Sequence, residues 1–151
     1  MSANLANNLL ESASRDADAI AVKLDDAEVS YGMLDGGSAA VAGLLKEKGF
    51  GPGDRVGIML PNVPYFAVVY YGILRAGGVV VPMNVLLKGR EVKFYLEDSG
   101  AKIVFAWHDF AEAAETGAEQ AGAEALLVKP GEFEQLLGGV SEPVADVCDR
   151  D

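Results

Sequence analysis

The stretch Gly53-Asp54-Arg55-Val56-Gly57-Ile58-Met59-Leu60-Pro61-Asn62, continued to Asn84, constrains the fold more than any other part of the chain. Gly51-Pro52-Gly53-Asp54 is turn chemistry, and the apolar run Val56 to Leu60 that follows suits a strand covered on both faces. Asn62 is placed to cap a helix from Val63, with Pro64 accommodated in the first turn, where its missing N–H has no partner to lose. Phe66, Val69, Tyr70, Ile73 and Leu74 recur at helical spacing, Gly77 stops that helix, and Val79 to Val81 returns as a second strand. Strand, helix and strand in that order predict a parallel pair joined by a right-handed crossover.

The flanking sequence extends the alternation. Leu5, Leu9, Leu10 and Ala13 share one face of a short N-terminal helix, and Ala19 to Leu24 and Glu28-Val29-Ser30 form a hairpin about Asp25-Asp26. Tyr31, Leu34, Ser38, Val41, Leu45 and Lys48 mark a helix capped by Ser30 and ended by Gly49. Gly36-Gly37 inside it cost about 1 kcal/mol each relative to alanine, so another backbone is expected to approach there. Lys88 to Ser99 is helical, with Val92, Tyr95, Leu96 and Ser99 on one side and Gly100 as its stop. Ile103 to Trp107 reads as a strand, Phe110 to Gly122 as a helix, Leu126 to Val128 as a strand and Glu132 to Leu137 as a short helix. The fold class is α/β with a mainly parallel sheet. Residues 1–140 are expected to form an incomplete subdomain of a larger domain, followed by a polar tail over 141–151 without a regular element. A parallel sheet truncated in this way exposes apolar area, which predicts self-association.

Twelve basic against twenty-three acidic residues give a net charge of −11, which repels phosphate backbones and argues against DNA or RNA as a partner. The single cysteine, Cys148, and an N-terminus without a basic region and apolar run predict a cytoplasmic protein. Leu60 to Leu87 carries Arg75 as its only charge, but prolines and Gly77-Gly78 divide it into a helix and a strand of a soluble core rather than a membrane span.

Isolated site signals are weak. Gly49-Phe50-Gly51-Pro52-Gly53 has the glycines of a dinucleotide loop but follows a helix and opens a strand, the reverse of what pyrophosphate binding needs. Asp25-Asp26 and Lys129 suggest the acidic pocket of a receiver domain, yet Pro61-Asn62 stands where its further aspartate belongs, so a hairpin turn is the better reading. His108, the only histidine, lies at a strand end and is read as lining a pocket or capping a helix rather than as a base, since no serine or cysteine elbow accompanies it. Trp107 is assigned to the core and Cys148 to an inert tail thiol. No Gly-Lys-Ser/Thr phosphate loop is present, and Thr116 is the only threonine.

Taken together the motifs resemble those of the adenylate-forming, AMP-binding enzymes, relatives of firefly luciferase and of peptide-synthetase adenylation domains. Val29-Ser30-Tyr31-Gly32-Met33-Leu34 is similar to the first core motif, with Met33 where glutamate is usual, so the reciprocal half of a capping box with Ser30 is missing. Gly53-Asp54-Arg55-Val56 with Leu60-Pro61-Asn62 resembles the next block, and Leu74-Arg75-Ala76-Gly77-Gly78-Val79-Val80-Val81-Pro82-Met83-Asn84 the second core motif. Arg90-Glu91 through Leu96, with Asp98-Ser99-Gly100-Ala101-Lys102, continues the match.

The resemblance implies the N-terminal part of an acid–CoA ligase, most like those acting on fatty acids. In such an enzyme a carboxylate attacks the α-phosphate of Mg-ATP, giving acyl-adenylate and pyrophosphate, and the thiol of coenzyme A then displaces AMP. The implied substrates are therefore ATP, with Mg2+, coenzyme A and a small carboxylic acid. The family's threonine-rich phosphate loop is not in this sequence and is expected soon after a segment like Asp146 to Asp151, so the chain by itself is expected to be inactive. No catalytic or metal residue is assigned. Asn84, Lys88 and Arg90 are the candidate coenzyme A contacts, the other reading of the two charges being a solvated helix start. A freestanding, non-catalytic α/β interaction module, or a piece of an aryl or peptide-synthetase adenylating enzyme, remains the alternative.

Overall fold

Strand β3 (Arg55–Met59) is the centre of a four-stranded parallel sheet in the order β4-β3-β5-β6. Its neighbours are β4 (Val79–Pro82) and β5 (Ile103–Trp107), and β6 (Glu124–Val128) lies beyond β5. Val56 stands opposite Val80 on one side and Ile103 on the other. The computed structural model describes residues 4–148. Helix α1 (Ala6–Arg15) precedes a separate antiparallel hairpin of β1 (Ile20–Leu24) and β2 (Ala27–Ser30). Helices α2 (Tyr31–Glu47), α3 (Pro64–Arg75), α4 (Gly89–Ser99), α5 (Ala111–Ala121) and α6 (Glu132–Gly138) connect and cover the sheet.

The pleat sends alternate residues to two cores, one on each face. Val56, Ile58, Ile103, Phe105 and Val128 pack with Val41 and Leu45 of α2, Val69 and Ile73 of α3 and Phe133 of α6. Met59, Val104 and Ala106 meet Val92 and Leu96 of α4 and Ala114 and Ala118 of α5. Four of the nine buried residues of the second core are alanine, and α4 and α5 approach closely at Gly117, where an added Cβ would lie 2.5 Å from that of Val92. Because both faces are covered, the strands are continuously apolar, as the sequence predicts.

Several expectations are corrected by local chemistry. Asn62 does not cap α3; Val63 is the N-cap, without a side-chain cap bond, and Pro64 is the first helical residue. Proline holds the residue before it extended, which moves the boundary one residue past the asparagine. No backbone lies against Gly36-Gly37: a Cβ on Gly36 would meet nothing within 4 Å, and one on Gly37 would meet the Val68 side chain at 3.0 Å. The close crossing of α2 and α3 is made instead by Gly72, whose added Cβ would fall 2.4 Å from Val41. His108–Phe110 forms a 3-10 turn before α5, and β6 starts two residues before Leu126. Ser30 does cap α2, its hydroxyl accepting the Met33 N–H at 3.1 Å although the reciprocal glutamate is missing.

Residues 141–148 contain no helix or strand but are tied down by backbone bonds: Val144 N–H to Ala39 O and Cys148 N–H to Arg75 O, both at 2.9 Å. Among the described residues no helix is long and apolar enough to cross a membrane.

Candidate functional site

In an open parallel sheet ligands bind outside the carboxyl ends of the strands, where the connections diverge. Here β3 leads to β4 on one side and β5 leads to β6 on the other, so the divergence falls between the ends of β3 and β5. Tyr65, in the first turn of α3, and Trp107, the last residue of β5, meet there with ring centres 6.0 Å apart. Tyr65 also abuts Phe133 at 5.9 Å, and Phe133 in turn meets the buried Phe105 edge-on.

Two carboxylates complete this edge. The Tyr65 hydroxyl donates to Glu134 Oε1, and the Gly131 N–H donates to Glu134 Oε2 at 2.5 Å. Burial, then the hydrogen bond and charge of Glu134, push the Tyr65 phenol up to about 12. Burial alone would raise the Glu134 carboxyl, but the hydrogen bonds from Tyr65 and the backbone outweigh it and hold it below its ordinary value. Trp107 Nε1 donates to Asp109 Oδ2 at 3.3 Å, and His108 Nδ1 lies 3.3 Å from Asp109 Oδ1, its ring 4.7 Å from that of Trp107. The half-buried His108 thus has an orienting carboxylate, and the contacts described for it, with Asp109 and Trp107, include no serine or cysteine. Trp107, half-buried at the carboxyl end of β5, packs against the core that holds Phe105 and Phe133.

The loop from β4 to α4 holds the three residues singled out in the sequence. Asn84 is exposed, and its Oδ1 accepts the Leu86 N–H at 2.8 Å, which shapes the loop. Lys88 is the N-cap of α4, its N–H donating to Glu91 Oε2 at 2.7 Å. Arg90 is exposed in the first turn. A cleft of about 490 Å³ lies beside this loop, walled by Leu86, Leu87, Lys88, Asp109, Phe110 and Glu112 among others. Lys88 therefore faces the cleft, whereas Asn84 and Arg90 are not among its walls. One ammonium against two carboxylates is not a preorganised phosphate cradle.

Tyr65 and Glu134 were not legible as a pair, being 69 residues apart. The available signal was positional: each stands in the first turn of a helix that follows a strand end, Glu134 three residues after Gly131. Among the described residues there is no group of three or more His, Cys, Asp or Glu side chains placed to hold a metal.

The arrangement matches known proteins over nearly the whole chain. The family model described as AMP-binding enzyme matches residues 9–146. A long-chain-fatty-acid–CoA ligase from Mycobacterium tuberculosis, FadD13, is 37% identical over 79 residues, 52% of this chain and 16% of its own length. The long-chain-fatty-acid–CoA ligase of Bacillus subtilis is 33% identical over 96 residues, 64% of this chain and 17% of its own length. Among solved structures, a benzoate CoA ligase from Burkholderia xenovorans LB400 superposes with a TM-score of 0.89 at 25% identity, covering 98% of this chain and 30% of that one. Apo MatB from Rhodopseudomonas palustris superposes with a TM-score of 0.85 at 26% identity, covering 100% of this chain and 30% of that one. The chain thus spans less than a third of these relatives. With the family model matched over most of its length, on a parallel α/β sheet of the same architecture, the chain belongs to the AMP-binding enzyme family.

Proposed function

We propose that this chain is the N-terminal α/β part of an acid–CoA ligase, which joins a carboxylate to ATP as acyl-adenylate and pyrophosphate and passes the acyl group to coenzyme A. The observation that carries the reading is the family match over residues 9–146, with relatives named as fatty-acid–CoA ligases. Those names favour a fatty acid as the carboxylate. ATP binding is supported by the ATP-bound form of MatB, which superposes on this chain with a TM-score of 0.78. The lone cysteine and the net charge of −11 favour a cytoplasmic setting without nucleic-acid partners.

Residues 1–140 act in this reading as scaffold, and 141–151 lead toward a phosphate loop elsewhere in the enzyme. Stabilising charge on a transferring nucleotidyl group needs preorganised donors, and a chain with one threonine and one ammonium against two carboxylates in its cleft lacks them. The purified 151-residue chain is therefore expected to release no pyrophosphate from ATP when supplied with a fatty acid, while an enzyme containing it does so in an acid-dependent way. Acid-dependent release by the chain alone would overturn the first expectation. Lys88 and Arg90 are assigned to the coenzyme A side. In such an enzyme Arg90→Ala should raise the Michaelis constant for coenzyme A without changing that for ATP, and an unchanged constant would remove the assignment.

A further inference from the structure

Residues 140–144 lie on α2 along a single stripe, and Cys148 reaches α3. Ser141 N–H donates to Glu47 Oε1 at 3.0 Å, Glu142 O sits 2.5 Å from where a Cβ of Gly43 would be, and Val144 N–H donates to Ala39 O at 2.9 Å. Glu47, Gly43, Ala39 and Asp35 are four residues apart and so share one face of the helix. The segment follows that face toward Asp35, with Val140 buried at its start.

Arg75 closes the far end. Although its guanidinium lies on α3, Nη1 donates to Asp35 Oδ1 at 2.5 Å and to Ser38 Oγ at 3.1 Å, both on α2, and Nη2 donates to Ala145 O of the strap. The Arg75 carbonyl accepts the Cys148 N–H, and Asn4 Nδ2 donates to both Leu74 O and Cys148 O. One residue thus joins α2, α3 and the strap, with the N-terminal segment fastened at the same place.

The energetics argue that the arginine is not there for stability alone. Its side chain is 3% exposed, yet Nε is buried with no hydrogen-bond partner, so the desolvation cost is only partly offset. A cleft of about 550 Å³ between α1 and the strap, walled by Leu10, Ser14, Asp35, Arg75, Pro143 and Ala145 among others, leaves one side of the strap uncovered. Val140 is anchored in the core, but residues 141–148 are exposed or half-buried, and exposure with an open side is a feature of a locally opening unit.

We propose that Arg75 is a positioning residue: its second guanidinium arm holds the strap over 140–148 in one path across α2 and α3, and the strap opens as a unit separate from the sheet when that arm is lost. Lysine tests this, since its single ammonium still reaches Asp35 and Ser38 but cannot also fork to Ala145. A charge-assisted bond contributes enough for its loss to change local opening about tenfold or more. In hydrogen exchange on the 151-residue chain, Arg75→Lys should speed Val144 and Cys148 amides by about tenfold relative to β3 and β5 amides. Asp35→Asn, which leaves the arm to Ala145 in place, should lower strap and sheet protection together. The proposal is overturned if Arg75→Lys leaves Val144 and Cys148 at wild-type protection, or if both variants act on strap and sheet in parallel.

Discussion

Replacing Gly72 by alanine tests the packing argument at its tightest point. Gly72 is buried on α3 where it crosses α2, and an added Cβ would lie 2.4 Å from both Cβ and Cγ1 of Val41 and 3.1 Å from Ser38 O. Ordinary carbon contacts are about 3.5–4.0 Å, so the helices must separate by roughly 1 Å or Val41 must leave its place. Val41 is fully buried and the Ser38 carbonyl belongs to helical backbone, so neither yields freely. Overpacking of this kind costs about 1–3 kcal/mol, against which alanine regains about 0.5–1 kcal/mol of helix propensity. The net expectation is a loss of about 1–2 kcal/mol. Val41→Gly removes both obstructing atoms at the expense of a cavity and of helix propensity, so the double variant should be less destabilised than the sum of the singles, with a coupling of at least about 0.5 kcal/mol. Urea unfolding followed by far-ultraviolet circular dichroism gives all three values. An unchanged midpoint for Gly72→Ala, or additive singles, would refute the proposed close crossing.

The contrasting substitution is Gly36→Ala on the open face of α2, where nothing lies within 4 Å; it should stabilise by about 0.5–1 kcal/mol in the same assay, and any loss would show an unrecognised contact. The Tyr65 phenol is raised, so its contribution is complete below the ordinary value of 10.0 and falls away between there and about 12; Tyr65→Phe should flatten that part of the stability profile, measured by unfolding at stepped pH. Glu134 is lowered, so its contribution is present above its ordinary value and disappears as pH falls through the lower folded value; Glu134→Gln should remove that acid limb. The edge strand β4 with half-buried Val79, Val80 and Val81, and the exposed Leu86 and Phe94, should make the chain associate as its concentration rises. A stable monomer in light scattering at high concentration would count against this.

Local sequence determined most of the architecture of this protein. The strand and helix alternation from Arg55 to Leu137 is present in the structure because doubly covered strands must be apolar throughout and because Gly77 and Gly100, at φ 79° and 74°, end their helices in a conformation that other residues adopt at a cost. The motif string that marks the family lies in these same turns and caps, so family membership was legible before the fold. Tertiary structure alone decided which residues meet. Gly36-Gly37 looked like the close crossing and Gly72 was the one used, since helical spacing does not say which turn faces a neighbour. Tyr65 found Glu134 from 69 residues away. Arg75 read only as a lone charge in an apolar stretch, yet it binds α2 and the strap through Asp35 and Ala145. Periodicity reports what each segment wants to bury, whereas partners far apart in the chain are set only when the helices take their places on the sheet.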